Sequence, residues 1–276
     1  MSKITKQASG KPRKIKPLPR EDKSKRYLYP EYDHDMCIKL AGISAAAYRT
    51  PKAFVHQLRA LDMPYYEYEL VEKDNAQAYV VWGERKVIIA WRGTEPKEYK
   101  DVLADLKFRK VIGHEGQVHR GFKGYVDKVY DEVYQLVKEI TKEDWYDVYV
   151  TGHSLGGASA LICTNRLEDY DKFHVKACYT FGSPRPGGWK YANTFKTNVY
   201  RVRNNNDLVT KVPPSFFGYK HIGKLCYLDR NGKMHTGKVK WWTVFSNWVL
   251  GQFHRIGDGL RDHSIGEYYQ ILKNQK

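Results

Sequence analysis

The run Gly152-His153-Ser154-Leu155-Gly156-Gly157 places a serine between glycines two positions away on either side, which is the spacing of a nucleophile elbow. Residues 147–151 before it predict a strand, and residues 158–167 after it predict a helix. At such a strand-to-helix turn the serine hydroxyl is exposed at the carboxyl edge of a sheet, and the helix N-terminus favours developing negative charge. Glycines lack the Cβ atoms that would block the close approach of neighbouring backbone. The run therefore predicts a serine positioned to attack a carbonyl carbon.

An imidazole and a carboxylate that would activate this serine follow it in the chain order that an elbow fold uses. Asp207 lies in a polar turn after the predicted strand 198–203. His263 precedes the amphipathic segment 265–272, which predicts a last helix. A serine nucleophile needs a base to accept its proton and a carboxylate to hold that base in one tautomer. We therefore expect His263 to be the base and Asp207 the carboxylate for Ser154.

Five blocks of the sequence resemble those of the class 3 lipases, the family of the fungal triacylglycerol lipases and their intracellular relatives. One block alone would be a weak signal, but five blocks in the family's order are specific. The resemblance covers about residues 35–272. The blocks are Ile88-Ile-Ala-Trp-Arg92-Gly93-Thr94, Val118-His119-Arg-Gly121-Phe122, the elbow Gly152 to Gly157, Thr180-Phe181-Gly182-Ser183-Pro184-Arg185, and Arg203 with Asp207, Val209 and Pro213.

The resemblance implies both an activity and a set of site residues. It implies a serine esterase or lipase that hydrolyses carboxylic esters of lipids through a Ser-Asp-His triad and an acyl-enzyme. It also implies an oxyanion hole formed by Thr94, through its backbone N–H and hydroxyl, and by the backbone N–H of Leu155. Two preorganised donors there would stabilise the charge that a tetrahedral intermediate carries on one oxygen. The alternative for Thr94 is structural, as the cap of a helix that begins near Lys97.

The order of the predicted elements indicates the fold class. Strands are predicted over 78–82 and 86–91, and helices over 35–48 and, without a break, over 125–140. Alternation of strands and helices is typical of a mostly parallel sheet with helices on both faces. The resemblance implies that this α/β architecture is the α/β-hydrolase fold. We expect residues 31–276 to form a single domain of that fold.

Positive charge is concentrated near the start of the chain. Of the net charge of +16, +8 comes from residues 1–30, which hold seven Lys and three Arg against Glu21 and Asp22. A segment so basic and rich in Pro and Gly cannot bury a core, so we expect it to be a disordered tail. Its charge predicts peripheral contact with anionic membranes. No apolar secretory signal or membrane-spanning run is recognisable, so the expected location is cytoplasmic.

The cysteines and the other histidines are expected to be structural. Four cysteines would allow three disulfide pairings, but two of them lie within a predicted helix and strand, so we expect reduced, buried thiols. No Cys or His cluster has the spacing of a metal site, and neither a metal nor a cofactor is expected. His119, His153 and His221 are expected not to replace His263 as the base. The cysteines are Cys37, Cys163, Cys178 and Cys226.

Two segments are expected to affect access of the substrate rather than the chemistry. Residues 96–106 occupy the position of the helical lid in secreted members of the family, but they are few and charged, so strong interfacial activation is not expected. Residues 238–256 place aromatic side chains, including Trp241 and Trp248, on one helical face between basic flanks. This helix either packs against the core or faces an acyl chain or a membrane.

Two other function classes fit parts of the sequence. An inactive lipase-like protein would keep the fold and act through interactions, although all the triad and oxyanion positions are filled by suitable residues. A nucleic-acid-binding protein would explain the charge, but the tail's basic residues are not interleaved with aromatic ones and no binding module is recognisable, so no specific nucleic acid is expected. The ester, among triacylglycerol, monoacylglycerol, phospholipid and non-lipid esters, stays open, as does the oligomeric state.

Overall fold

A mixed nine-stranded sheet forms the centre of the molecule. The computed structural model describes residues 3–7, 31–63, 66–95, 108–113, 115–169, 171, 173–236 and 258–275. In chain order the strands are β1 (Lys3–Gln7), β2 (Glu67–Lys73), β3 (Ala76–Gly83), β4 (Lys86–Trp91), β5 (Lys110–Ile112), β6 (Gln117–His119), β7 (Asp147–His153), β8 (Val175–Phe181), β9 (Gly187–Gly188), β10 (Asn198–Asn204), β11 (Tyr219–Lys220), β12 (Lys224–Leu228) and β13 (Met234–Thr236).

The large sheet is parallel at its centre and antiparallel at its edges. Its strand order is β1-β2-β3-β4-β7-β8-β10-β12-β13. The five strands from β4 to β12 in this order run parallel to one another. The pairs β1–β2, β2–β3, β3–β4 and β12–β13 are antiparallel.

Helices cover both faces of this sheet. The helices α1, α2 and α8 pack on one face, and α3, α4 and α5 pack on the other. Among the described residues, no helix is long and apolar enough to cross a membrane. The helices are α1 (His34–Ala46), α2 (Pro51–Ala60), α3 (Arg120–Asp127), α4 (Tyr130–Ile140), α5 (Leu155–Asp169), α6 (Trp189–Ala192), α7 (Asp258–Arg261) and α8 (Ile265–Lys273).

Strand β4 illustrates why the central strands are apolar at nearly every position. Successive side chains of a strand point to opposite faces of the sheet. Ile88 and Ala90 therefore join the buried cluster on the α1 side, while Val87, Ile89 and Trp91 join the cluster on the α5 side. All five are fully buried. A strand covered on both faces shows a continuous apolar run rather than alternation, as the sequence does here.

A second, four-stranded sheet lies beside the large one, with the order β11-β9-β6-β5. Val118 of β6 and Tyr191 of α6 belong to the buried cluster on the α5 side, so one face of this small sheet packs on the core. Val111 of β5 packs against the same cluster. Lys110 and Ile112, its neighbours along the strand, point to the opposite face.

The start of the chain differs in part from the expectation of a disordered tail. Residues 3–7 form β1, which pairs with β2 at the edge of the large sheet, with Ile4 opposite Val71. An edge strand presents unpaired N–H and C=O groups, and the short stretch Lys3-Ile-Thr-Lys-Gln7 contains the β-branched residues that favour pairing there. Residues 8–30 lie outside the described part of the chain, so disorder there stays a prediction.

The prediction of one continuous helix over 125–140 is wrong. The structure has two helices, α3 and α4, separated at Val129, which has φ −132° and ψ 1°. The first helix packs on α5, while the second packs on β3, so the chain changes direction between them. Val126, Val129 and Val133 are all buried across the break, and one continuous helix would place the same apolar residues on one face. The apolar spacing therefore does not reveal the break. The predictions for residues 96–106 and 238–256 lie outside the described residues.

Candidate active site

The parallel strands bring the residues predicted from the sequence to one edge of the sheet. Thr94 follows β4, Ser154 follows β7 and Asp207 follows β10. The carboxyl ends of neighbouring parallel strands meet at the same edge, where α/β proteins bind their ligands. His263 comes from the turn between α7 and α8. Four segments that are far apart in sequence thus meet at one point.

The backbone of Ser154 has the strained conformation of a nucleophile elbow. Its φ is 59°, in the left-handed region that residues with a Cβ rarely adopt. The N–H of Ser154 donates to a carbonyl of β8 at 3.0 Å, and its C=O accepts from the N–H of Gly157 at 2.9 Å, which holds the turn from both sides. A Cβ on Gly156 would lie 2.2 Å from the carbonyl oxygen of Trp91, and one on Gly152 would lie 2.2 Å from that of Gly156. Glycine is therefore required at both positions.

His263 joins Ser154 to Asp207 by hydrogen bonds. Its Nε2 lies 2.8 Å from Ser154 Oγ, and its Nδ1 lies 2.9 Å from Asp207 Oδ2. His263 and Asp207 are fully buried, and Ser154 is buried. Donation from Nδ1–H to the carboxylate leaves Nε2 free to accept the serine proton. Gly182, with φ 58°, makes room for the pair, since a Cβ there would lie 2.7 Å from Asp207 Oδ2 and 2.8 Å from His263 Nδ1.

The carboxylate of Asp207 is oriented by two further donors. The backbone N–H of Val209 donates to Oδ1 at 2.9 Å, and the hydroxyl of Tyr268 donates to Oδ2 at 2.6 Å. The Tyr268 oxygen in turn accepts from the N–H of Asn204 at 2.9 Å. Burial, followed by the negative charge of Asp207, raises the pKa of Tyr268 well above its usual value. The phenol therefore keeps its proton and stays a donor.

Asp262 joins the segment that contains His263 to the turn that contains Asp207 by hydrogen bonds. Its Oδ2 accepts from the side-chain amide of Asn205 at 3.0 Å and from the backbone N–H of Asn206 at 3.1 Å. The amide of Asn204 donates to the Asp262 carbonyl at 3.1 Å. Burial raises the pKa of Asp262 above its usual value, while the bonds from Asn205 and Asn206 to its carboxylate oppose that shift. The three asparagines therefore place the base beside the carboxylate.

His153 supports His263 from its backbone. The Nε2–H of His153 donates to the carbonyl oxygen of His263 at 2.6 Å, because a carbonyl can only accept. Its Nδ1 then accepts from the Tyr48 hydroxyl, 2.9 Å away. Burial, followed by the charge that His263 can carry, lowers the pKa of His153 well below 6.5, so the ring is neutral. His153 has the structural place expected of it, directly behind the base.

Thr94 and Leu155, the residues predicted for an oxyanion hole, both adjoin the nucleophile. Leu155 is the first residue of α5, so no carbonyl four residues earlier in the helix can accept its N–H. The backbone of Gly93 approaches so closely that a Cβ there would lie 3.3 Å from Ser154 Cβ. Thr94 follows it, between the ion-paired side chains of Arg92 and Glu95. The two predicted donors therefore lie near Ser154, Leu155 at the start of α5 and Thr94 in the segment that follows β4.

The remaining histidines and the cysteines have structural surroundings. His119 caps α3, since its Nδ1 accepts from the N–H of Phe122 at 3.3 Å. Burial, followed by the charges of Arg201 and Arg185, lowers the pKa of His221 well below 6.5. All four cysteines are free and buried, as expected, and burial raises the pKa of Cys163 to about 12. No group of three or more His, Cys, Asp or Glu able to hold a metal occurs within the described ranges.

Sequence reasoning missed three residues that position the site. Asp262 is the neighbour of the predicted base, and Tyr268 lies on the inward face of the predicted last helix. Their positions in the sequence therefore indicated that both lie near the base. Their hydrogen bonds depend on how α8 is set against the turn after β10. Tyr48 follows α1, more than a hundred residues before the elbow it contacts, and no local pattern links the two.

The chain is similar in sequence to known lipases. Residues 88–217 match the family model described as lipase (class 3). A lipase of Rhizomucor miehei is 32% identical over 172 residues, covering 59% of this chain and 47% of its own length. The secreted mono- and diacylglycerol lipase 1 of Fusarium solani is 38% identical over 116 residues, covering 41% of this chain and 34% of its own. The chain therefore spans less than half the length of these two curated relatives.

A solved structure extends the similarity to the fold. A triacylglycerol lipase, whose catalytic centre is described as a serine protease triad, superimposes with a TM-score of 0.61 at 26% identity. The match covers 73% of this chain and 82% of that chain. It confirms the predicted α/β-hydrolase fold, with a parallel centre to the sheet and helices on both faces.

Proposed function

We propose that the chain belongs to the class 3 lipase family, whose model matches residues 88–217, and that it is a serine hydrolase that cleaves carboxylic esters of lipids. The observation that carries the proposal is the chain of hydrogen bonds from Ser154 through His263 to Asp207. The curated relatives are lipases, and one is named for mono- and diacylglycerols. Acylglycerols are therefore the substrates proposed first, and phospholipids and other esters the alternatives.

In the first half of the proposed reaction, Ser154 Oγ attacks the ester carbonyl carbon while His263 Nε2 accepts the hydroxyl proton. A new C–O bond forms, and the carbonyl π electrons move to the oxygen. The backbone N–H groups of Thr94 and Leu155, with the Thr94 hydroxyl, would donate to that oxyanion. Asp207 stabilises the imidazolium without taking its proton. The intermediate then expels the alcohol, which receives the proton from His263, and the acyl group stays on Ser154.

The second half reverses these roles with water. His263 accepts a proton from a water molecule as the water oxygen attacks the acyl carbon. The resulting intermediate breaks its bond to Ser154 Oγ, which takes the proton back from His263. The fatty acid leaves, and the site returns to its starting state. No cofactor takes part in either half.

A fluorophosphonate probe tests the nucleophile directly, because a serine oxygen activated in this way displaces fluoride from phosphorus. We expect the wild type to be labelled and to release p-nitrophenol from short-chain esters, and Ser154→Ala to do neither. Ser215→Ala, at an exposed serine outside the site, is the matched control and should behave like the wild type. Full esterase activity in Ser154→Ala would overturn the proposal. A wild type that is neither labelled nor active on any chain length would indicate an inactive lipase-like protein.

The base is tested with a matched pair of histidine variants. His263→Ala should lose ester hydrolysis, whereas His221→Ala should keep it in the soluble assay. The reverse result would reassign the base and leave the nucleophile in place. Incubation of the wild type with lipid extracts, followed by analysis of the released products, then identifies the ester class.

A further inference from the structure

Four large apolar side chains of the small sheet are exposed to solvent. Ile112 is 80% exposed, Trp189 is 62%, Phe216 is 81% and Phe217 is 50%. A single exposed apolar residue needs no explanation, but a contiguous group of them marks an interaction site. All four lie in or next to the strands β5, β9 and β11.

These side chains lie along the small sheet and the residues next to its strands. The Phe217 ring centroid lies 4.6 Å from that of Phe216 and 5.3 Å from that of Phe108. Phe217 precedes β11, which pairs with β9, and Trp189 directly follows β9. Strand β6 connects β9 to β5, where Ile112 ends the strand. We call Phe108, Ile112, Trp189, Phe216 and Phe217 the aromatic–basic surface, for the cations described next.

Basic residues lie in the same segments as this apolar group. The segments 108–120, 186–192 and 211–221 hold six Lys or Arg and a single acidic residue, Glu115. The Lys220 ammonium lies over the Trp189 ring, and the Lys110 ammonium lies 4.8 Å from the centroid of Tyr219. The basic residues are Arg109, Lys110, Arg120, Lys190, Lys211 and Lys220.

One segment of the chain links this surface to the proposed active site. Leu208, which is 40% exposed, directly follows Asp207 and begins the stretch that ends in Phe216 and Phe217. Aromatic rings flanked by Lys and Arg fit the boundary between acyl chains and anionic headgroups, where rings enter the apolar layer and cations meet phosphate. A substrate dissolved in a bilayer would be reached from such a face.

We propose that the aromatic–basic surface docks the protein on anionic lipid bilayers. This inference rests on the proposed function, since a lipid ester is presented at a membrane surface. It assigns docking to a folded surface, separately from the basic residues of the N-terminal segment. The rings supply apolar contact, and the surrounding cations select anionic over neutral lipid. An acidic protein partner would use the cations but would not require a bilayer.

Sedimentation with vesicles of phosphatidylcholine, with or without phosphatidylserine, tests the surface at physiological ionic strength, where long-range attraction is screened. The full-length chain is used, together with a second version in which the basic residues between 11 and 26 are replaced by glutamine. In this second version that part of the N-terminal segment can no longer bind anionic vesicles through its charge. In both versions we expect Phe216→Ser/Phe217→Ser to weaken binding to the phosphatidylserine vesicles by about tenfold or more. Arg109→Glu/Lys190→Glu should abolish the preference for phosphatidylserine.

The matched control for charge is Lys52→Glu/Lys142→Glu, which makes the same change of charge at two exposed lysines outside the surface. It should retain the preference for phosphatidylserine. Equal binding by the phenylalanine variant and the wild type would overturn the proposal, as would an equal loss in both charge variants. A wild type that ignores vesicles would also overturn it and point to an acidic protein partner.

Hydrolysis of a soluble short-chain ester separates this proposal from the proposed function. The phenylalanine variant should hydrolyse it at the wild-type rate, which also shows that the variant is folded. A wild type that binds vesicles but hydrolyses no ester would sink the hydrolase proposal and leave the docking surface standing.

Discussion

At the level of single residues, Thr94 allows the hydroxyl contribution to an oxyanion hole to be separated from that of the backbone. Thr94→Val keeps the shape and the backbone N–H but removes one donor. If the hydroxyl donates only in the transition state, kcat should fall by about tenfold up to about a thousandfold, with little change in KM. Steady-state kinetics on a soluble ester provide the measurement.

Two other kinetic results would each assign Thr94 a different role. An unchanged kcat would leave the backbone N–H groups of Thr94 and Leu155 as the oxyanion donors. A rise in KM alone would mean that the hydroxyl contacts the ground state of the substrate. Thr94→Ser, which keeps the hydroxyl, is the conservative control and should retain most of the activity.

At the level of elements, the contact between the turn after β10 and the turn before α8 sets the geometry of the base. Asp262→Ala removes the acceptor for the Asn205 side chain and for the backbone N–H of Asn206. The Asn206 N–H is then buried without that hydrogen-bond acceptor. We expect a loss of about 1–3 kcal/mol in the free energy of unfolding, a melting temperature lower by a few degrees, and a lower kcat. Calorimetry and ester kinetics on the same samples measure all three.

Asp262→Asn is the matched partner of that variant. Its amide oxygen can still accept both bonds, so most of the stability and the activity should survive. If Asp262→Ala hydrolyses esters as fast as the wild type, the turn does not position His263, and the bonds to the asparagines are only structural.

The same two turns show where sequence reasoning stops. Ser154, Asp207 and His263 were predictable because each lies where a strand or helix pattern begins or ends, and parallel strands bring such ends together. The break between α3 and α4 was not predictable, because Val126, Val129 and Val133 keep the same apolar spacing on both sides of it. It depends on which elements each helix packs against, and that is a property of the tertiary structure. The role of Tyr48 was hidden for the same reason.

At the level of the whole molecule, two histidines, the buried His153 and the half-buried His221, link stability to pH. The pKa values of His153 and His221 are well below 6.5 in the folded protein and close to 6.5 in an unfolded chain. Above about pH 6.5 both are neutral in either state, so their contribution to stability is complete. Below it the unfolded chain binds protons that the folded one does not. The free energy of unfolding should therefore decrease as the pH is lowered below about 6.5, by about 1.4 kcal/mol per pH unit for each histidine.

Thermal or denaturant unfolding between pH 7 and pH 5 measures that slope. The double variant His153→Gln/His221→Gln should show a shallower fall over this range, even though it starts from a lower stability. Equal slopes in the wild type and the double variant would mean that other groups account for the pH dependence.

The hydrogen bond between Ser154 and His263 joins residues that are 109 positions apart. At a synthesis rate of 5–20 residues per second, the ribosome makes the nucleophile roughly 5–20 seconds before the base. Tyr268, the donor to Asp207, emerges later still. A nascent chain can therefore fold its central strands while the proposed hydrolase is still without its base. A membrane near the ribosome would then meet an inert intermediate, and the proposed ester cleavage would begin only after α8 has left the exit tunnel and docked.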